Sequence, residues 1–159
     1  MLHNYSLFYN IALATYLVTT ILLFIQVISS NKLIMIINKI GLIIGFVLLT
    51  ISLVGRGVAA GHVPFSNTYE TLIFFAWLMA LIYFPLRKKD EKGIIATGVS
   101  LLIMVTIAVS SLVVDVPRPL VPALQSNWLT IHVVFMFISY AAFAIAFITA
   151  ILYLIFKDR

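Results

Sequence analysis

Five long apolar runs make up most of this chain. Each run is long enough to cross the hydrocarbon core of a bilayer as an α-helix, which takes about 20 residues. The backbone must satisfy its own hydrogen bonds in lipid, and no segment alternates as a membrane β-strand does. The pattern therefore predicts an all-α fold: a polytopic membrane helix bundle with five transmembrane helices, in a single domain. The predicted spans are residues 7–28, 33–54, 68–86, 93–114 and 128–156.

Composition excludes the other broad classes. Hydrophobic residues make up 64% of the chain and charged residues 9%, whereas a soluble domain averages about 25% charged residues. A disordered chain would need low hydrophobicity. The absence of cysteine excludes disulfides, thiolate metal sites and a thiol nucleophile in this chain. The first apolar run lacks a preceding basic segment, so we interpret it as a retained membrane helix rather than a signal peptide.

The distribution of positive charge predicts the orientation. Only Arg56 and Arg118 lie on one side of the predicted bundle. The other side carries Lys32, Lys39, Arg87, Lys88, Lys89, Lys92, Lys157 and Arg159. Because basic loops stay in the cytoplasm, we expect an outer N-terminus and a cytoplasmic C-terminus. The basic excess also favours contact with anionic membrane lipid. No basic patch interleaved with aromatic residues indicates a nucleic-acid partner.

Two predicted outer loops, residues 55–67 and 115–127, contain the least ordinary sequence. They hold four of the five prolines and both outer arginines. Glycines in the first loop permit close backbone approach or positive φ. Arg56 and Arg118 either snorkel to the interface or pair with an anion such as a carboxylate.

The first outer loop ends in a helix-capping pattern. Asn67 can cap the third helix, and Glu70 lies three residues on, as in a capping box. Glu70 is either a capping carboxylate or an acceptor for a ligand or for His62. His62 is either an interfacial polar residue or a metal ligand, since imidazole is the commonest one.

The start of the fifth run combines a cap with a histidine. Ser126 can cap this helix, and Trp128 and His132 share one face because they are four residues apart. That stripe is the one most able to face other helices, and it continues through Met136, Ser139 and Tyr140. An ionisable residue inside a span is a functional candidate. The alternatives are an interhelical hydrogen bond for His132 and a membrane-interface anchor for Trp128.

Signatures of most enzyme classes are missing. The sequence has no phosphate-binding loop, no nucleophile elbow and no H-E-x-x-H motif. Neutral imidazole at the outer face of a helix bundle remains, and this chemistry suits a metal or a haem iron.

Two segments together resemble one family. They read GHVPFSNTYE at 61–70, followed by an apolar helix with Trp77, and LVPALQSNWLTIHV at 120–133, followed by SYA at 139–141. Both segments resemble the CcsA/ResC proteins of cytochrome c biogenesis. The resemblance runs from about Leu42 to Ile155.

The resemblance implies a haem-handling function. Such proteins work with a CcsB/ResB-like partner in the bacterial cytoplasmic membrane or its organellar equivalent. They move haem outward and attach its vinyl groups to the thiols of apocytochrome c. The resemblance makes His132 an axial haem ligand at the outer face. With haem at this face, Trp128 would stack on or shield the porphyrin, and His62, Asn67 and Glu70 would shape the entrance. From their charge alone, Arg56 and Arg118 are candidates to hold the propionates. Gln125 is a further candidate site residue.

The sequence departs from the family after the second segment. It has two tryptophans, neither in a W-G-x-x-W-x-W-D pattern, and no histidine follows His132. It therefore resembles the N-terminal portion of such a protein. A haem lyase assembly would then need a downstream CcsA-like portion that carries the tryptophan-rich segment and the second iron ligand.

The same residues are also compatible with other functions. In a transporter or a structural subunit of a membrane complex, His62 and His132 would be pathway or interhelical residues. In a b-type cytochrome subunit, the same two histidines would ligate one haem.

Overall fold

The fold is entirely helical over the part of the chain that the structure, a computed structural model, describes. That part comprises residues 5–29, 31–90, 92–113, 120, 122 and 125–157. The helices are α1 (Tyr5–Ser29), α2 (Lys32–Ala60), α3 (Thr68–Leu86), α4 (Ile94–Ser110) and α5 (Asn127–Phe156). The prediction of an all-α protein is confirmed.

Four of these helices are long and apolar enough to cross a membrane. They are α1, α2, α3 and α5, judged by length and composition. The fourth helix, α4, is apolar but has only 17 residues. It ends at Ser110, so residues 111–113 of the predicted run 93–114 do not extend it, and residue 114 lies outside the described residues.

Helices α1 to α4 surround a common interior, and α5 lies outside them. Helix α1 packs on α2 and α4, and α3 packs on the same two helices from the opposite side. Helix α5 contacts mainly α3 and touches α4 less. Among the described side chains of α5, only Ala141 and Ile145 are fully buried. The first four helices therefore form the core, and α5 is an attached fifth helix.

Small residues bring α1 and α2 together. A Cβ atom added at Gly45 would lie 2.8 Å from the ring of Tyr16, and one at Gly41 would overlap Thr19. Two glycines four residues apart on one helix face allow close approach of a neighbouring helix in a membrane. This contact is the most extensive one between two helices in the described structure.

Polar side chains join α1 to its neighbours inside the bundle. Thr20 and Ser100 share a hydrogen bond of 2.8 Å between α1 and α4. Asn38 Nδ2 donates to Gln26 Oε1 at 2.8 Å between α2 and α1. Hydrogen bonds of this kind hold helices together where the surroundings offer no water.

The two ends of the bundle differ in character. At one end, the 3-10 turn Arg87–Lys89 leads into Asp90, whose Oδ2 accepts from the N–H of Ala96 and the hydroxyl of Tyr83 at 2.6 and 3.0 Å. The basic segment after α3 thus leads into a carboxylate that caps α4. At the opposite end, called the His62 end below, α2 ends and both α3 and α5 begin. The assignment of the His62 end to the outer side stays a prediction.

Candidate functional site

Helix α2 continues well past its predicted end. It runs to Ala60 and stops at Gly61, which has a φ of 72° and donates its N–H to the carbonyl of Gly57 at 2.9 Å. Glycine is the residue that adopts this left-handed conformation without strain. Much of the predicted loop 55–67 is therefore helical, and residues 61–67, called the 61–67 connection below, form the actual link to α3.

A buried ion pair explains why α2 continues. Arg56 Nε donates to Glu70 Oε1 at 2.9 Å, and the two side chains are 2% and 0% exposed. The guanidinium also lies over the ring of Tyr69, with 5.2 Å to the centroid. A charge in an apolar interior needs such a partner. The pair therefore favours a structural role for Arg56 over snorkelling, and contact of Arg56 with a haem propionate stays a prediction.

The second oxygen of the Glu70 carboxylate accepts hydrogen bonds from the 61–67 connection. Glu70 Oε2 accepts from the N–H of Ser66 at 2.9 Å and from its hydroxyl at 2.8 Å. The N–H of Glu70 donates to Asn67 Oδ1 at 2.9 Å, so Asn67 caps α3 as the sequence predicts. Glu70 therefore joins three parts of the fold: α2, the connection and the first turn of α3.

His62 lies in this connection with a defined ring geometry. Its Nδ1 lies 2.9 Å from the carbonyl oxygen of Val63. A carbonyl can only accept, so Nδ1 carries the proton and the lone pair of the neutral ring is on Nε2. Metal-binding histidines commonly orient their rings by the same kind of bond to a backbone carbonyl.

A cavity separates the connection from the start of α5. Its volume is about 330 Å³, within the range of roughly 300–1,000 Å³ that is typical of small-molecule sites. It is called the site cavity below. Its lining combines apolar side chains with a few polar ones: His62, Val63, Phe65, Ser66, Leu120, Gln125, Ser126, Asn127, Leu129, Thr130 and Val133. The structure thus brings together His62 and Gln125, two of the predicted site residues.

An apolar groove lies on the other side of His62, between α2 and α3. Its volume is about 420 Å³, and His62 and Val63 line it as well as the site cavity. Phe74 and Trp77 form one wall with nearly parallel rings 6.1 Å apart. The Trp77 Nε1–H donates to Thr50 Oγ1 at 2.8 Å and fixes the indole. His62 therefore stands between two mainly apolar spaces.

Trp128 and His132 lie on a different face of α5 from the residues that line the site cavity. Trp128 is 82% exposed and His132 is also exposed, whereas Leu129 and Val133 line the cavity. The expectation that their stripe faces the other helices is wrong for the described part of the bundle. The physical reason is that α5 meets the bundle through other side chains: Ala141 and Ile145 are buried, and the ring of Phe137 packs on Phe74 of α3.

The remaining predicted residues are dispersed. Arg118 lies outside the described residues. Gln125 is exposed and its Nε2 donates to the carbonyl of Leu120 at 2.8 Å. Ser126 occupies the N-cap position of α5, but its hydroxyl makes no capping bond there. Ser66 was not singled out from the sequence, although its place just before a capping Asn and a Glu is a usable signal.

No metal site is preformed in the described ranges of the chain. They contain no group of three or more His, Cys, Asp or Glu side chains that could hold a metal ion. The imidazole of His62 lines the site cavity, and that of His132 lies on the exposed surface of α5. This arrangement suits a cofactor that takes one axial imidazole from a given side better than it suits a bare metal ion.

Comparison with known proteins identifies the family. The family model described as "Cytochrome C assembly protein" matches residues 65–159. "Cytochrome c biogenesis protein CcsA" of Cyanophora paradoxa is 38% identical over 151 residues, which are 91% of this chain and 46% of that protein. The proteins of the same name from Chlorella vulgaris and Trieres chinensis are 42% and 40% identical, over 67% and 75% of this chain and 35% and 39% of their own lengths.

The match covers only part of each relative. The chain spans less than half the length of these curated proteins. No solved structure matches it. Because the family model covers more than half of the chain and the helices are long and apolar, the chain is an integral membrane protein that belongs to the cytochrome c assembly family, of the CcsA type.

Proposed function

We propose that this chain forms one wall of a haem site used in cytochrome c biogenesis, with His132 as an axial ligand of the iron. The observation that carries the proposal is the surface of α5. His132 and Trp128 lie together on a face that no described residue covers. Membership of a family named for cytochrome c assembly supports the same function.

The residues on this face fit a haem. Haem is a large, flat and mainly apolar ring whose iron takes neutral imidazole as an axial ligand. The side chains next to His132 along the exposed face are aromatic or apolar: Trp128 is 82% exposed, Phe135 66% and Met136 37%. The face therefore offers one nitrogen donor within apolar surroundings, which is what a porphyrin requires.

His62 and the site cavity supply a second, neighbouring feature. The His62 ring is oriented by the Val63 carbonyl, and Nε2 of this ring bears the lone pair of the neutral form. We propose that His62, with Asn67, Glu70 and Gln125, shapes the entrance to the haem site. In this proposal the chain binds and orients haem and excludes water, and the haem supplies the vinyl groups that become bonded to the thiols of apocytochrome c.

The proposal requires partners. Because the chain spans less than half of its curated relatives, we propose that a CcsA-like portion with a tryptophan-rich segment covers the exposed face of α5 and brings the second ligand. A CcsB/ResB-like membrane protein and apocytochrome c complete the assembly. The site lies at the outer face of the membrane, as the charge distribution predicts.

Substitution of His132 tests the proposal. In the assembly that contains the downstream portion, His132→Ala should lower haem content or shift the Soret band, because alanine offers no lone pair to iron. Added imidazole should partly restore the spectrum by filling the vacated position. Ser139→Ala is the matched control, since this serine is on the same exposed stripe and its hydroxyl bonds only to the carbonyl of Phe135 among the described groups.

The outcomes separate the two main functions. Haem loss in His132→Ala with normal protein level in the membrane would support the haem site. Wild-type haem content, spectrum and cytochrome c maturation in that variant would contradict it, and would favour a structural subunit.

A further inference from the structure

The buried ion pair at the His62 end is linked to the wall of the site cavity. We infer that Arg56 and Glu70 are positioning residues that fix the 61–67 connection, and with it His62, against the site cavity. The inference goes beyond the haem proposal. It rests on that proposal only for the identity of the ligand and not for the geometry of the connection.

The first step is the orientation of the carboxylate. Glu70 Oε1 accepts from Arg56 Nε at 2.9 Å, and Glu70 Oε2 accepts twice from Ser66, at 2.9 and 2.8 Å. A charge-assisted bond to one oxygen is short and directional, so it also fixes where the second oxygen lies. Arg56 therefore acts on Ser66 through the carboxylate, and Ser66 itself lines the site cavity.

The second step leads from Ser66 to His62. The carbonyl of Val63 accepts from the N–H of Phe65 and from Nδ1–H of His62, both at 2.9 Å. The ring of Phe65 packs on Phe74 of α3, with centroids 5.7 Å apart. The connection is thus a short, internally bonded segment, so a displacement at Ser66 moves the imidazole as well.

The third step concerns the two ends of the connection. At its start, Gly61 is tied to α2 by the bond from its N–H to the Gly57 carbonyl. At its end, Ser66 is tied to the Glu70 side chain, and Asn67 caps α3. Without the carboxylate, Ser66 loses both of its bonds to α3, and the segment between Gly61 and Asn67 is held less firmly.

Stability and positioning can be separated by substitution. A single charge left in the interior is strongly unfavourable, but replacement of both partners by apolar residues of similar size is often tolerated. Arg56→Met combined with Glu70→Met removes the pair and the acceptor for Ser66. Arg56→Met combined with Glu70→Gln also removes both charges, but the Gln amide oxygen still accepts from Ser66. The second double variant is therefore the matched control for the first.

The experiment measures the motion of the connection directly. The chain has no cysteine, so a nitroxide can be attached through Val63→Cys, at a side chain that is 48% exposed. A second label at Leu112→Cys, 85% exposed just after α4, reports on the same end of the bundle away from the pair. Electron paramagnetic resonance spectra are recorded for the full protein in membranes, and haem content is measured on the same preparations.

In the Met/Met variant we expect narrower spectral lines from the label at 63, unchanged lines at 112, and lower haem content. In the Met/Gln variant the lines at 63 should lie between those of the wild type and of the Met/Met variant, because Ser66 keeps an acceptor that has lost its bond to Arg56, and the lines at 112 should be unchanged. If the Met/Met variant is folded, as judged from unchanged lines at 112, and its lines at 63 are also unchanged, the positioning role of the ion pair is overturned whatever the haem content. Narrower lines at 63 with full haem content would support the role of the ion pair in fixing the connection and would contradict the proposed role of His62 at the entrance to the haem site.

Discussion

Tyr16 illustrates how a single polar atom behaves in this interior. Its side chain is fully buried between α1 and α2, and its hydroxyl has no hydrogen-bond partner among the described residues. A buried polar group without a partner keeps its desolvation penalty, which is about 1–3 kcal/mol.

Tyr16→Phe should therefore leave the bundle as stable as before or raise its free energy of unfolding by up to about 1 kcal/mol. Unfolding of the purified protein in mixed detergent micelles measures this value. Tyr9→Phe is the contrasting variant, because the Tyr9 hydroxyl bonds to Ser110 at 2.8 Å, and it should be destabilising. A clear loss of stability in Tyr16→Phe would mean that an internal water molecule satisfies the hydroxyl.

The residues of the candidate site were only partly predictable from sequence. The capping motif fixed the place of Asn67 because the cap depends on local spacing alone. The partner of Glu70 was not predictable, since Arg56 lies 14 residues away and an ion pair between helices depends on how they pack. The same limit applies to the stripe of His132: apolar residues surround α5 on all sides, so the pattern does not show which face meets the bundle.

At the scale of helices, the contact of α1 with α2 depends on the absence of a side chain at Gly45. Gly45→Leu would place atoms where the ring of Tyr16 lies, since even a Cβ would come within 2.8 Å of it. We expect a loss of stability of about 1–3 kcal/mol, the usual effect of overpacking.

Measurement of the same unfolding equilibrium checks this prediction. Val47→Leu is the matched control, since Val47 is on α2 but is 47% exposed. Equal stability of the two variants would show that α2 can shift along α1, and would contradict the close packing described above.

Length and hydropathy located the helices well. Predicted run 68–86 coincides with α3, and runs 7–28 and 128–156 differ from α1 and α5 by at most two residues at each end. The end of α2 was misplaced because Gly55 and Gly57 indicate a loop when only local sequence is considered. The spacing of Gly41 and Gly45 was a usable signal for helix contact that the prediction did not include.

At the scale of the molecule, the orientation in the membrane is the prediction on which the site depends. Single cysteines at Thr68 and Lys89 would lie at opposite ends of the bundle, and both side chains are exposed. An impermeant thiol reagent should modify position 68 in intact cells and position 89 only after the membrane is opened, because the basic residues favour the cytoplasm.

The unsubstituted chain is the control, since it contains no cysteine. The reverse labelling pattern would place the His62 end in the cytoplasm. His132 would then lie on the wrong side for attachment of haem outside the membrane.

The Arg56–Glu70 pair also bears on how the protein is made. Synthesis runs from the N-terminus, so Arg56 leaves the ribosome before Glu70 does. An arginine at the centre of an isolated membrane helix is unfavourable by about 2.5–3.5 kcal/mol on insertion scales, and less so near the interface. The charge is compensated only when α3 follows. We therefore expect α2 and α3 to enter the lipid more readily together than α2 does alone, since Glu70 then compensates the charge of Arg56.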